Sequence, residues 1–146
     1  MHNIVMQQLA NVVQSLRKEG FRITPQRIAI VDYVIKTDTH PTAEQIHHVI
    51  QKKYPMVSLS TVYKTLDLLK KKRLVQEIEF DGGSRYDGNT DDHVNVICLR
   101  CGKIDDVKED SIPDMESRVK RKSKYKILTS SFELYGYCES CKNKVN

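Results

Sequence analysis

Residues 57–80 read VSLSTVYKTLDLLKKKRLVQEIEF, and the period of their apolar positions changes once. Val62, Leu66 and Leu69 are four and three apart, the spacing of one helix face, with Ser58 or Ser60 as the N-cap. From Val75 the order becomes apolar–polar alternation over VQEIEF; DGG at 81–83 turns the chain and SRYD at 84–87 returns it, which reads as a hairpin. The exposed face of the helix carries Ser60, Thr61, Tyr63, Lys64 and Lys70. These supply donors for phosphates and base edges, and an aromatic ring able to meet a thymine methyl.

Three further helices precede it. Val5, Leu9, Val12 and Leu16 form an amphipathic stripe that Gly20 stops. In FRITPQRIAIVDYVIK, Thr24 is the N-cap and Pro25 the first helical residue, with Ile28, Val31 and Ile35 on one face. In HPTAEQIHHVIQKKYP, Thr42 is the cap, Ala43, Ile46 and Ile50 make the stripe, and Pro55 lies just beyond the end. Helices followed by a short hairpin, with a basic segment on the last helix, is the order of a winged helix-turn-helix. In that architecture the last helix enters the major groove of double-stranded DNA and the hairpin is the wing. A solvated helix packed in a bundle is the competing reading.

The chain of 146 residues has room for one ordinary domain or two small ones, and 39% hydrophobic against 29% charged residues is a globular balance. No apolar run approaches the ~18 residues of a membrane span, and MHNIVMQQLANVV lacks the basic region and cleavage site of a secretory signal. The expectation is a cytoplasmic protein with no membrane partner. The net charge is +5, and all of the excess lies in residues 1–80, with 12 Lys/Arg against 7 Asp/Glu; residues 81–146 carry 12 of each. That asymmetry suits a first half that meets a polyanion, though a basic soluble surface would look the same.

The second half is short of core residues, and domains this small often need a staple. Cys98-Leu-Arg-Cys101 and Cys138-Glu-Ser-Cys141 supply one: two Cys-x-x-Cys pairs with 36 residues between them account for all four cysteines. Cytosolic thiols stay reduced, so matched pairs read as a closed tetrahedral zinc site, structural rather than catalytic. HVNVICL and KILTSSFELYGYC read as strands, and SIPDMESRVKRK between them as a helix with Ile112, Met115 and Val119 on one side. Residues 81–117 hold 4 basic and 10 acidic side chains, and 118–146 hold 8 and 2, a division that could help two chains pair.

A second ligand set is weaker on spacing alone. His93 and Asn95 share a strand face, Asp87 ends the hairpin, Asp106 follows the first cysteine pair, and His40 begins the third helix. Imidazole and carboxylate suit divalent Fe, Mn, Co or Zn. Capping, turn and surface roles compete for each of them. His2, His47 and His48 read as surface.

RITPQR, HPTAEQI, VSLSTVYKTLDLL, SRYD, DDHVNVICLRCGKIDD and LYGYCESC, in that order, strongly resemble the ferric uptake regulator family over residues 9–141. The resemblance implies an α+β fold: a winged helix-turn-helix at 1–85, then a small α/β dimerisation and metal-binding domain at 86–146. It implies a homodimeric, metal-dependent repressor of operator DNA, not an enzyme. Its structural zinc would sit on Cys98, Cys101, Cys138 and Cys141. A regulatory Fe(II) or Mn(II) bridging the two domains would sit on His40, Asp87, His93, Asn95 and Asp106. Asp106, where many iron-sensing members have Glu, resembles the peroxide-sensing branch, in which bound Fe(II) reacts with hydrogen peroxide and a ligand histidine is oxidised. His40 and His93 match the oxidisable positions. Asn95 departs from the family's His-x-His, so either its amide oxygen coordinates or a water takes the place. No histidine follows His93, which implies that the additional His-containing site of some members is absent. An iron or zinc homeostasis regulator without peroxide chemistry is the alternative. A zinc-dependent hydrolase and a zinc-stabilised interaction module are the readings from other classes.

Overall fold

The computed structural model describes residues 2–80 and 83–144, with side chains for 6–79 and 83–144. The side chains of His2 and Val5, and the turn residues Asp81 and Gly82, lie outside the described residues. The chain divides into two compact units, Met1–Thr90 and Asp91–Asn146.

The N-terminal unit runs α1 (His2–Lys18), α2 (Pro25–Lys36), α3 (Ala43–Gln51), α4 (Leu59–Lys71), β1 (Gln76–Phe80) and β2 (Gly83–Asp87). Local chemistry sets the helix starts. The Thr24 side chain accepts from Arg27 N–H with Pro25 behind it, Thr42 and Gln45 form a reciprocal capping box, and Ser58 Oγ accepts from Thr61 N–H at 3.0 Å. Ser58, not Ser60, is therefore the cap of α4. β1 and β2 pair antiparallel, Gln76 opposite Asp87 and Phe80 opposite Gly83.

Val12, Leu16, Ala43, Ile46, Ile50, Val62, Leu66 and Leu69 are buried as their spacing predicts. α2 departs from expectation. Its interior residues are Ile30, Val31 and Val34, with Ile28 and Ile35 half-buried. α2 packs against α1, α3, α4 and β2, so its buried face is wider and rotated relative to a single stripe. Val57, Leu68, Val75 and Tyr86 complete the cluster, where each fully buried large side chain contributes about 1.5–3 kcal/mol. His47, expected at the surface, is half-buried, with Nε2 2.9 Å from Val57 O across the α3–α4 turn.

The C-terminal unit has β3 (His93–Cys98), β4 (Ile104–Lys108), α5 (Ile112–Ser123), β5 (Glu133–Gly136) and a 3₁₀ turn at Lys142–Lys144. β3 is central, antiparallel to β4 and parallel to β5. The long strand expected over KILTSSFELYGYC is strand only at Glu133–Gly136, and β4 lies in a stretch whose charges concealed it. Ile112 is buried and Met115 half-buried, but Val119 is exposed. Ile97, Ile104 and Ile112 are the buried aliphatics, whereas Tyr125, Leu128, Leu134, Tyr135 and Tyr137 are exposed. No helix among the described residues is long and apolar enough to cross a membrane.

Candidate functional site

The cysteine pairs occupy two tight turns. β3 ends at Cys98, opposite Gly136 of β5, and Leu99 N–H donates to Gly136 O at 2.8 Å. Cys98 N–H donates to Lys103 O and Gly102 N–H to Cys98 O. Gly102 takes φ +74°, a left-handed conformation that costs glycine little and lets Cys101 return toward Cys98. At the other pair, Cys141 and Lys142 N–H both donate to Cys138 O, at 2.9 and 2.8 Å.

The four cysteines each offer an Sγ, all within 4.8 Å of one another, and Cys101 Sγ and Cys138 Sγ are 3.7 Å apart. A tetrahedral zinc with sulfur at ~2.3 Å requires sulfur–sulfur edges of about 3.8 Å, so the donors fit. All four are free thiols. Backbone N–H groups of Cys101 and Cys138 pull the Cys98 thiol down to about 6, and burial pushes Cys141 up to about 12. Thiolates are the form that binds zinc, so a metal on this cluster would displace the thiol protons.

In the N-terminal unit, β2 clasps the turn before α3. Arg85 donates from Nε to His40 O and from Nη2 to Thr39 O, and Tyr86 N–H donates to Pro41 O at 3.0 Å. His40 is held at φ +49°, a conformation that costs a residue with a Cβ about 1–2 kcal/mol. The residue after Tyr86 is Asp87, with a carboxylate oxygen within 4.8 Å of a His40 ring nitrogen. Both side chains are 3% exposed. Asp87 Oδ1 accepts from Asn89 N–H at 2.9 Å. A Cβ on Gly88 would stand 2.4 Å from Val34 O, so only glycine lets the chain leave Asp87 over the backbone of α2. Arg85, whose pKa burial lowers, was missed from sequence. Its partners are carbonyls 45 and 46 residues away, which no periodicity reports.

The C-terminal unit gathers the other three candidates on one sheet face. Asn95 is opposite Asp106 across the β3–β4 ladder, and His93 is two residues along on the same face. His93 Nδ1 lies 2.6 Å from Asp91 O; a carbonyl only accepts, so Nδ1 carries a hydrogen and Nε2 is the nitrogen left to ligate a metal. His93 Nε2 is 3.9 Å from Asp106 Oδ1. Two ligands of one ion, each at ~2.1 Å, lie at most about 4.2 Å apart, so this pair fits a divalent cation between them. Asn95 is 1% exposed, within the sheet rather than at its surface, and its N–H donates to Phe132 O.

On α4, Ser60, Tyr63 and Lys64 are exposed. Thr61 is half-buried with its hydroxyl 2.9 Å from Ser58 Oγ, and Tyr63 OH donates to Glu44 Oε1 of α3 at 2.9 Å. Lys70 departs from the expected open face. It is half-buried and ion-paired with Glu77 of β1, which raises the lysine pKa and lowers that of the carboxyl. Lys70 therefore fastens α4 to the hairpin.

The sequence profile of the ferric uptake regulator family matches residues 18–135. The peroxide-responsive repressor PerR of Staphylococcus epidermidis is 37% identical over 140 residues, 95% of this chain and 93% of that protein. The solved structure of the Campylobacter jejuni peroxide stress regulator is similar with a TM-score of 0.74 at 30% identity, covering 88% of this chain and 98% of that one. The Helicobacter pylori ferric uptake regulator Fur, a protein with three functional metal-binding sites, gives 0.78 at 28% identity, covering 94% and 93%.

Proposed function

The chain belongs to the ferric uptake regulator family, and from that premise we propose how its residues divide the work of a metal-dependent DNA-binding repressor. Ser60, Tyr63 and Lys64 on α4 face operator DNA, and Thr61 supports them from the helix start. The four cysteines hold zinc and keep the C-terminal unit folded; that unit pairs two chains through the apolar side chains it leaves exposed. His40 and Asp87 of one unit, with His93, Asn95 and Asp106 of the other, share one regulatory Fe(II) or Mn(II). Such an ion would fix the angle between the two winged helices of a dimer, so that both reach successive half-sites. The protein works in the cytoplasm, holds two ions per chain, and takes no substrate beyond metal and peroxide.

The observation that carries this reading is the orientation of the donors. His93 has its Nδ1 hydrogen committed to Asp91 O, and His40 is held in a strained turn beside Asp87. These oxygen and nitrogen donors are distinct from the all-sulfur set, and suit iron or manganese. Held by these residues, Fe(II) would supply redox chemistry toward hydrogen peroxide, with the imidazoles of His40 and His93 as the side chains exposed to oxidation. Similarity to the Staphylococcus epidermidis peroxide-responsive repressor supports the sensing role.

Anaerobic Fe(II)-loaded protein tests it. Brief peroxide should abolish duplex binding and add one oxygen to the peptide holding His40 or His93, while the Mn(II) form is spared. An iron form that binds DNA equally after peroxide contradicts sensing. Asn95 favours the second reading, a plain iron or zinc regulator, because an amide oxygen is a weaker ligand than imidazole. Loss of binding on iron removal with no response to peroxide would establish that one.

A further inference from the structure

Tyr63 lies on the outward side of α4 and Glu44 in the first turn of α3, 19 residues earlier; the phenol gives its hydrogen to Glu44 Oε1 at 2.9 Å. Both side chains are exposed, so core packing does not account for the bond. A tyrosine hydroxyl has one hydrogen to donate and lone pairs to accept with. The carboxyl of Glu44 is held below its ordinary range by its own backbone N–H and by Tyr63, and Tyr63 is pushed up by Glu44. At neutral pH the hydrogen stays on the phenol and the charge on the carboxylate.

We propose that Glu44 is a specificity-determining residue that acts through Tyr63: it fixes the direction of the ring and occupies its single donor, so Tyr63 meets a duplex as ring and acceptor only. The inference rests on α4 being the DNA-reading helix. Phosphate oxygens and the O6 and N7 of guanine are all acceptors, and each is refused by a phenol whose hydrogen is taken. A thymine methyl can still lie against the ring, and the N6 amino group of adenine can donate to the phenol oxygen. Glu44 thereby makes Tyr63 a base reader that excludes guanine at its contact.

The test uses full-length protein loaded with zinc and Mn(II), a duplex it selects from a randomised pool, and a scrambled duplex of equal length. Glu44→Ala should lower the ratio of specific to non-specific affinity on the order of three- to tenfold, and admit guanine at one base position. Glu44→Gln keeps an acceptor oxygen without the charge and should restore most of the ratio. In the Tyr63→Phe background, Glu44→Ala should leave the ratio unchanged. An equal fall in both backgrounds, or equal ratios for the Ala and Gln variants, overturns the role of Glu44. A wild type that binds both duplexes alike instead overturns the DNA reading beneath it.

Discussion

The two units solve the same stability problem by different means. The N-terminal unit buries a continuous set of aliphatics from α1 to β2, including Ile30, Ile46, Leu66 and Leu69. The C-terminal unit buries Ile97, Ile104 and Ile112 beside Cys98 and Cys141, and exposes more large apolar side chains than it hides. Apolar burial scales with the residues available, and some 56 residues spread over three short strands and a helix provide little. Zinc on the four sulfurs would supply what the core lacks, and a second chain docked on this unit would cover exposed side chains such as Leu134 and Tyr135. On the proposed function, one unit stands on its own core and the other leans on a metal and a partner.

The sharpest way to break that contrast is to remove a sulfur. Cys98→Ser should abolish zinc binding, dissociate the dimer and melt the C-terminal unit, while the helical circular dichroism of the N-terminal unit persists. A zinc-loaded, dimeric Cys98→Ser protein would refute the dependence on metal. Leu66→Ala is the converse. It should cost the N-terminal unit about 2–5 kcal/mol in urea unfolding and leave zinc content at wild type.

Smaller effects sharpen the contrast at the regulatory residues. Asn95→His offers imidazole from a buried strand position, and should tighten Zn(II) at the regulatory site by about tenfold or more with the four-cysteine zinc unchanged. Competitive titration with a chromophoric chelator reads this, and identical affinities would remove position 95 from the ligand set. Glu77→Gln is the mildest. It breaks the ion pair with Lys70 that fastens α4 to the wing, and half-exposed pairs of this kind contribute below about 1 kcal/mol. Because folding lowers the Glu77 pKa, the contribution of the pair is present above the ordinary carboxylate range and is lost as pH falls through the folded value. Melting curves of wild type and Glu77→Gln should therefore converge on acidification.

How legible these features are depends on sequence separation. Caps at Thr24, Thr42 and Ser58 involve residues three apart, and the Cys-x-x-Cys pairs announce themselves, so the winged helix and the sulfur cluster are readable from short windows. α2 is misread because its neighbours on several sides widen its buried face to Ile30 and Val34. β4 is hidden because IDDVK has too few apolar residues to show a period, and β5 is overextended because apolar KILTSSF continues into it. The clasp of Arg85 on Thr39 and His40, the Tyr63–Glu44 bond and the Lys70–Glu77 pair join residues distant along the chain. Charge patterns within an element do not reveal them.

The proposed function requires one regulatory ion, served by His40 and Asp87 with His93, Asn95 and Asp106, for DNA binding. The direct measurement is the affinity of zinc-replete protein for its selected duplex, with and without Mn(II), for wild type and for Asp106→Ala. Mn(II) should tighten wild-type binding at least tenfold, by the order of a typical allosteric coupling, and should leave Asp106→Ala unchanged although its four-cysteine zinc is retained. Wild-type binding that ignores Mn(II), or an Asp106→Ala protein that responds as wild type does, would contradict it.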